Sequence, residues 1–398
     1  MESFSENTDP SRNNSSSVEV SIVMPCLNEA ETLATCIQKA KEFLRVHSVD
    51  GEIIVADNGS SDGSVQIAQS AGARVVRVAE RGYGSALMAG FQAARGKYLI
   101  MGDADDSYDF TGLLPFLQQL RGGVDLVMGN RFRGGIRPQA MPLLHRHLGN
   151  PVLTGVLNLF FRTGVGDAHC GLRGLTRDCF ERINLRTTGM EFASEMIVKA
   201  VAHKCRIAEV PTTLQPDGRS RPPHLRSFRD GWRHLRFLLL ICPEYTLIWP
   251  GLALIAVGVL AFLAVLFGPL PLGRTVLDVH TLLAGGLFII LGYQGVTIGL
   301  AARIFALQEE LGPPSPLLHK SFKYFTLERG VLGGLLFLTS GIIPIAWLTV
   351  RWVSSDFGPL TLDHTLRPMI AGSTLSILGL QTVLMSFFYS MLGIQRKK

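Results

Sequence analysis

The chain has 398 residues, 47% of them hydrophobic, and a formal charge of +6. That length predicts roughly two or three units rather than one domain. The basic excess does not indicate nucleic acid, because the basic residues gather beside hydrophobic spans rather than along an aromatic-studded surface. An anionic membrane face, or a phosphate-bearing ligand there, fits better.

Cys26, Cys36, Cys170, Cys179, Cys205 and Cys242 form no C-x-x-C and no zinc spacing with His, which predicts reduced, mostly buried thiols in a cytosolic domain. Residues 1–17 are rich in Ser and Asn and lack the apolar stretch of a signal peptide, so they predict a disordered tail. From 18 to about 217, short apolar runs alternate with helix-like stretches. Strands are expected at 18–24, 52–56 (ending at Asp57), 74–78, 98–101 and 125–128, with helices between them at 30–45, 64–71, 84–94 and 113–120. Such alternation specifies a mainly parallel α/β sheet. Ligands of these sheets sit outside the carboxyl ends of the strands, and Asn28-Glu29, Asp57 and Asp103–Asp105 all fall there. Beyond Gly129 the expectation is a basic loop at 131–147, a short apolar helix near the membrane at 152–161, a Gly-rich segment at 167–174, a helix at 190–202 and a strand at 206–214.

Residues 218–236 hold six arginines and one aspartate. Phe228, Trp232, Leu235 and Phe237 alternate there with Arg229, Arg233 and Arg236, which predicts a basic amphipathic helix in the membrane interface within 218–243. An ordinary solvated helix would carry similar charges, but here a hydrophobic span follows at once. Four spans come next, at about 245–267, 281–302, 331–350 and 369–392, each near the ~20 apolar residues that cross a hydrocarbon core. Arg303, Lys320, Lys323 and Arg329 in the second connection, with Arg396, Lys397 and Lys398 at the end, outweigh Arg274, Arg351 and Arg367 in the short connections. This bias places the N-terminal domain and both termini in the cytoplasm. Pro313, Pro314 and Pro316 break the second connection, whose remainder can hold another interfacial helix. No repeat appears at a solenoid period.

Asp103-Ala104-Asp105-Asp106 follows the apolar run 98–101. Two carboxylates one residue apart at a strand end can share a divalent metal, which joins them to a diphosphate and neutralises charge as a nucleotide leaves. As plain structure the same stretch would be a polar loop with Asp106 or Asp109 capping the next helix. Asp57, in Asp57-Asn58-Gly59-Ser60-Ser61-Asp62-Gly63, can accept from a nucleobase or ribose, with Ser61 or Asp62 capping the helix from Ser64. Glu29, after Asn28, can bind a ribose beside a helix N-terminus, although a simple cap by Asn28 reads equally well. Arg81-Gly82-Tyr83-Gly84 is a close-approach loop without the full dinucleotide fingerprint. Arg131, Arg173, Arg219 and Arg221 are candidate phosphate binders, Arg131 foremost because it follows a strand. His145 and His169 have no paired base or metal spacing and receive no role.

Taken together, Met24-Pro25-Cys26-Leu27-Asn28-Glu29, the Asp57–Gly63 turn, Gly102-Asp103-Ala104-Asp105 and Gly129-Asn130-Arg131-Phe132 resemble family 2 glycosyltransferases of the GT-A fold. Within that family the chain is similar to polyprenyl-phosphate (dolichyl-phosphate mannose or glucose) sugar synthases of the multi-span branch. The resemblance covers about 18–240. It implies a GT-A domain with interfacial helices and four transmembrane helices. It also implies that Pro25, Asn28, Glu29, Asp57, Asp103 and Ala104 hold the nucleotide of a UDP- or GDP-sugar. Asp105 would be the direct ligand of Mg²⁺ or Mn²⁺, with Asp103 and Ser107 beside it. Arg131 would neutralise phosphate charge, Asp167, Gly171 and Arg173 would line the acceptor side, and Arg219 would close over the diphosphate. Asn58 stands where many relatives carry a second Asp, and Ser107 where mannose synthases often carry a metal-binding Gln.

The activity this implies is metal-dependent, inverting transfer of a hexose to a polyprenyl phosphate at the cytoplasmic face. Such a phosphate is largely dianionic at pH 7 and needs no general base, whereas a hydroxyl acceptor needs one, with Glu191 and Glu195 in reserve. Competing readings are a glycosyltransferase acting on a lipid hydroxyl or a polysaccharide, and a transporter or flippase with a nucleotide-sensing domain. Few ionisable residues in the spans weigh against transport. The partners expected are the sugar nucleotide, the lipid phosphate and the membrane, with no nucleic acid, and a homo-oligomer is left open.

Overall fold

A computed structural model describes residues 18–220, 227–308 and 326–393. The expected tail at 1–17, Arg221, Pro313, Pro314, Pro316, Lys320, Lys323, Arg396, Lys397 and Lys398 lie outside the described residues. The chain divides into two compact units, Met1–Leu238 and Leu239–Lys398.

The first unit is built on β1 (Val20–Cys26), β2 (Gly51–Asp57), β3 (Arg74–Arg77), β4 (Tyr98–Met101), β5 (Leu126–Asn130), β6 (Arg173–Thr176) and β7 (Ile207–Pro211). The sheet order is β3-β2-β1-β4-β6-β5-β7. All neighbours are parallel except the two pairings of β6 with β4 and β5. β1, β2, β4 and β5 are apolar runs because helices cover both faces of a parallel sheet. Helix α1 (Leu33–Val46) buries Leu33, Cys36, Ile37, Ala40 and Phe43 in one core with Val20, Ile22 and Met24. Helix α2 (Ser64–Ser70) follows β2. Helix α3 (Tyr83–Ala93) lies close on β1 through Gly90, where a Cβ would stand 2.4 Å from Val23 Cγ1. Helix α4 (Leu114–Arg121) adds Phe116, Leu117 and Leu120 to the core.

The expected strands and helices up to residue 130 appear within a few residues of their bounds. The Gly-rich stretch at 167–174 corrects that reading, because its end forms β6, the antiparallel strand. Its burial comes from the flanking strands rather than from an apolar sequence of its own. The basic loop contains a short turn, α5 (Arg131–Gly134), and the apolar helix is α6 (Asn150–Phe161). Helix α7 (Arg177–Ile183) was not expected, while α8 (Phe192–Ala202) was. Helix α9 (Ser227–Ile241) exposes Phe228 and Trp232 and buries Asp230 and His234.

The second unit holds four helices long and apolar enough to cross a membrane: Glu244–Val265, Val279–Gln308, Leu327–Ser354 and His364–Leu392. Their α-helical cores are α10 (Trp249–Val265), α11 (Val279–Gln308), α12 (Leu327–Ser354) and α13 (Leu362–Leu392). They form two hairpins that resemble each other. Residues 284–296 and 371–383 share Ala, Gly, Ile, Leu, Gly, Gln and Val at the same spacing, and Phe-Gly-Pro-Leu occurs at 267–270 and 357–360. The packing repeats too. A Cβ on Gly251 would meet Gly292 O at 2.7 Å and one on Gly258 would meet Gly285 O at 2.8 Å. In the second hairpin a Cβ on Gly334 would meet Gly379 O at 2.9 Å and one on Gly341 would meet Gly372 O at 2.5 Å. In lipid, helices associate through such close backbone approach because no hydrophobic force distinguishes partner from solvent. Polar links join the hairpins, Tyr293 Oη to Thr382 Oγ1 at 2.6 Å and Tyr389 Oη donating to Thr297 O at 2.7 Å.

Candidate active site

Parallel register sets the carboxyl ends of β1, β2 and β4 side by side, with Cys26 opposite Asp57. A cleft of about 610 Å³ opens there, and Pro25, Asn28, Glu29, Asp103, Ala104, Asp105 and Arg219 all line it. Asp57 faces a neighbouring cleft of about 540 Å³ that shares Gly59 and Ser61 with the first. Its carboxylate closes its own turn, accepting from Gly59 N at 3.3 Å and Ser60 N at 3.1 Å.

Neighbouring turns brace one another. Asn28 does not cap α1. Its backbone is left-handed, with φ at 59°, and its Oδ1 accepts from Ser61 N at 2.7 Å. Asp62 accepts from Ala30 N at 3.0 Å and from Ser64 N at 3.1 Å, so it is structural. Asp109 accepts from Thr111 N at 3.0 Å, the capping role expected of this loop.

One arginine bridges three acids at the cleft. Arg219 donates to Glu29 at 3.0 Å, Asp105 at 2.9 Å and Asp217 at 2.8 Å. Burial works against its charge, but Asp105, Asp217 and Glu29 outweigh that and raise its pKa. Asp105 Oδ1 accepts from Ser107 N at 3.1 Å and Ser107 Oγ at 2.6 Å, so the Ser107 hydroxyl braces the carboxylate. Asp103 accepts from Tyr83 Oη at 3.0 Å. Burial, and then the charge of Asp105, push its carboxyl up to about 7, so a cation beside it would restore its ionised form.

Arg131 and Arg173 depart from the expected phosphate role, because neither lines the cleft. Arg131 makes a two-pronged pair with Asp167 at 2.7 and 2.8 Å, both side chains buried. Burial opposes its charge, and Tyr108 and Asp167 together more than offset that. Its field still helps keep Asp103 ionised. Arg173 is fully buried and donates to the carbonyls of Cys170, Ala193 and Ala168 at 2.7 to 2.9 Å. Gly171 touches the site from below, since a Cβ there would lie 2.3 Å from Asp103 Oδ2. Glu195 is no free base. It is 1% exposed, pairs with Lys199 at 2.8 Å, and accepts from Arg186 N and from Thr187 N and Oγ1. Glu191 is half-buried beside Gly189 and does not line the cleft. His169 is held neutral by burial, with His234, Arg131 and Arg173 adding to the effect.

A family model described as Glycosyl transferase family 2 matches residues 21–183. One described as Glycosyltransferase family 2 C-terminal transmembrane region matches residues 300–393. The low-salt glycan biosynthesis hexosyltransferase Agl6 of Haloferax volcanii is 39% identical over 375 residues, 94% of this chain and 89% of that one. The dolichol-phosphate mannosyltransferase of Mycosarcoma maydis is 30% identical over 224 residues, 52% of this chain and 74% of that one. Among solved structures, glucosyl-3-phosphoglycerate synthase from Mycobacterium tuberculosis is 23% identical with a TM-score of 0.45, covering 56% of this chain and 80% of that one. The chain belongs to glycosyl transferase family 2.

This family 2 glycosyltransferase, an integral membrane protein with a GT-A domain, also lines its cleft with residues that the sequence had not placed in the site. Arg81, Tyr83, Met190, Arg229 and Arg233 are all at its wall. One signal for two of them was present: Arg229 and Arg233 are four apart on α9, one helical face, while Phe228 and Trp232 point to solvent. Met190 carries no sequence signal. It reaches the cleft because Gly82 and Gly84 let α3 press against the 187–190 backbone, where a Cβ would stand 2.0 Å from Thr188 O and 2.2 Å from Thr187 O.

Proposed function

We propose that this glycosyltransferase moves a hexose from a nucleotide-diphospho-sugar to the phosphate of a polyprenyl phosphate, with inversion, at the cytoplasmic face of the membrane. The observation that carries the donor half is the convergence of Asp103, Asp105, Glu29 and Arg219 on one cleft at the strand ends. The acceptor half draws on a relative whose name is dolichol-phosphate mannosyltransferase and on the fact that Glu195 is occupied by Lys199 and backbone amides. A dianionic phosphate attacks without a base. Catalysis then rests on positioning and charge stabilisation.

Asp105 and Asp103 are the residues that would hold a Mg²⁺ or Mn²⁺ ion. Among the described residues no group of three or more His, Cys, Asp or Glu forms a metal cage, so diphosphate oxygens would complete the shell. Bound there, the ion would neutralise charge on the departing nucleotide. Glu29 and Pro25 would flank the nucleoside, Asp57 would brace the turn beneath it, and Arg219 would pass from the acids to the diphosphate. Arg131, tied to Asp167, would act through space on Asp103. Helix α9 would lie in the membrane interface, its arginines toward the cleft and Phe228 and Trp232 toward lipid.

The test is a donor panel. Full-length protein in proteoliposomes containing polyprenyl phosphate is given UDP- and GDP-sugars with Mg²⁺, Mn²⁺ or a chelator. The expected result is one preferred donor, loss of product with the chelator, and inverted anomeric configuration. A retained anomer, or turnover indifferent to the chelator, would overturn the mechanism.

A further inference from the structure

Asn58 is nearly buried at the end of β2, and its amide is fully used. Its Nδ2 donates to Glu80 O at 2.8 Å and Val78 O at 3.4 Å. Its Oδ1 accepts from Gly82 N at 2.7 Å, and its own backbone N–H donates to Cys26 O at 2.9 Å. One residue therefore joins the end of β1, through its backbone, to the loop that leaves β3, through its side chain. The bonds at Glu80 and Gly82 flank Arg81, whose side chain is exposed at the cleft wall. Two residues on, Tyr83 reaches Asp103.

The chemistry of this clamp requires an amide. Two of its bonds need a donor and one needs an acceptor, and Asn supplies both from one planar group. A carboxylate at 58 keeps the bond from Gly82 N but sets an anionic oxygen against the carbonyls of Val78 and Glu80. The loop has little room to give way. Gly82 sits at φ 149° with a Cβ position 2.0 Å from Thr188 O, and Ser85 N donates to that same carbonyl at 3.2 Å. A loop released at Asn58 shifts against the 187–190 wall rather than into open space.

We propose that Asn58 is a positioning residue for the donor: it acts through Arg81, holding that guanidinium at the cleft that receives the sugar nucleotide. This rests on the nucleotide-sugar reading above, which wild-type turnover checks separately. The experiment is a double-mutant cycle of Asn58→Asp and Arg81→Ala in the full-length protein in proteoliposomes, reading KM for donor and for acceptor with the thermal midpoint. Each single change is expected to raise the donor KM about tenfold, the size of one or two lost hydrogen bonds. The double variant should stay close to the larger single effect, with the acceptor KM unchanged throughout. Effects that multiply, or a parallel rise in both KM values, would overturn the proposal. If Asn58→Asp does not accumulate, the smaller uncharged Asn58→Ser runs the same cycle with the same two outcomes.

Discussion

The two units solve the problem of burying a backbone in opposite ways. In the catalytic unit the loops are pinned by side-chain polar groups: Asp57 closes its own turn, Asp62 joins its turn to Ala30, and Asn58 and Glu195 each make two or more bonds to a neighbouring segment. In the membrane unit the helices are drawn together by glycine against carbonyl, with Gly251, Gly258, Gly334 and Gly341 in matching places. Water competes for every polar bond in the first setting, so specificity needs several partners at once. Lipid competes for none, so a small residue and a close backbone suffice.

The sharpest break of the comparison separates chemistry from stability. Asp105→Asn should cut turnover by about 10³-fold while leaving the thermal midpoint nearly unchanged, read by a product assay beside differential scanning fluorimetry. The polar pinning is tested next. Lys199→Met strands the buried carboxylate of Glu195 and should cost about 3–5 kcal/mol of stability, seen in denaturant unfolding. Lys199→Met with Glu195→Leu should recover only part of that loss, because the amides of Arg186 and Thr187 then lose their acceptor.

Proton linkage offers a milder probe. Burial, together with the charge of Arg173, pushes His234 down to about 4 from an ordinary value of 6.5. Between those values the unfolded chain binds a proton that the folded one refuses, so stability is full above about 6.5 and falls as pH drops toward 4. The loss approaches roughly 3 kcal/mol, and His234→Gln should flatten that part of the pH–stability curve. The smallest effects belong to the seams. Gly258→Leu and Gly341→Leu force side chains against backbone carbonyls and should each cost about 1–3 kcal/mol, by similar amounts if the hairpins are equivalent.

Much of the catalytic unit was legible because a parallel sheet writes itself as apolar runs, and the residues after those runs must face the ligand side. Pro25, Glu29, Asp103 and Asp105, read in this way, all line the cleft. Strand β6 was not, because its Arg-Gly-Leu-Thr sequence is buried by its neighbours and has no pattern of its own. The burial of Arg131 and Arg173 away from the cleft lining was not legible for a related reason. An arginine after a strand looks the same whether it meets a phosphate or a core carboxylate, and Asp167 lies 36 positions away in the chain. Asn58 looked like a lost acid and proved to be an amide with every group engaged. The glycine seams were hidden because the repeat spans a whole helical hairpin, longer than the repeats of stacked motifs.

The central claim is that the acceptor atom is a phosphate oxygen, and a matched pair of lipids tests it most directly. Full-length protein with its preferred sugar nucleotide is offered polyprenyl phosphate or the polyprenol of the same length, and products are resolved by mass spectrometry. Sugar joined through phosphate, with no product on the alcohol, is the result this account predicts. Glycosylation of the alcohol, with the phosphate untouched, would contradict it.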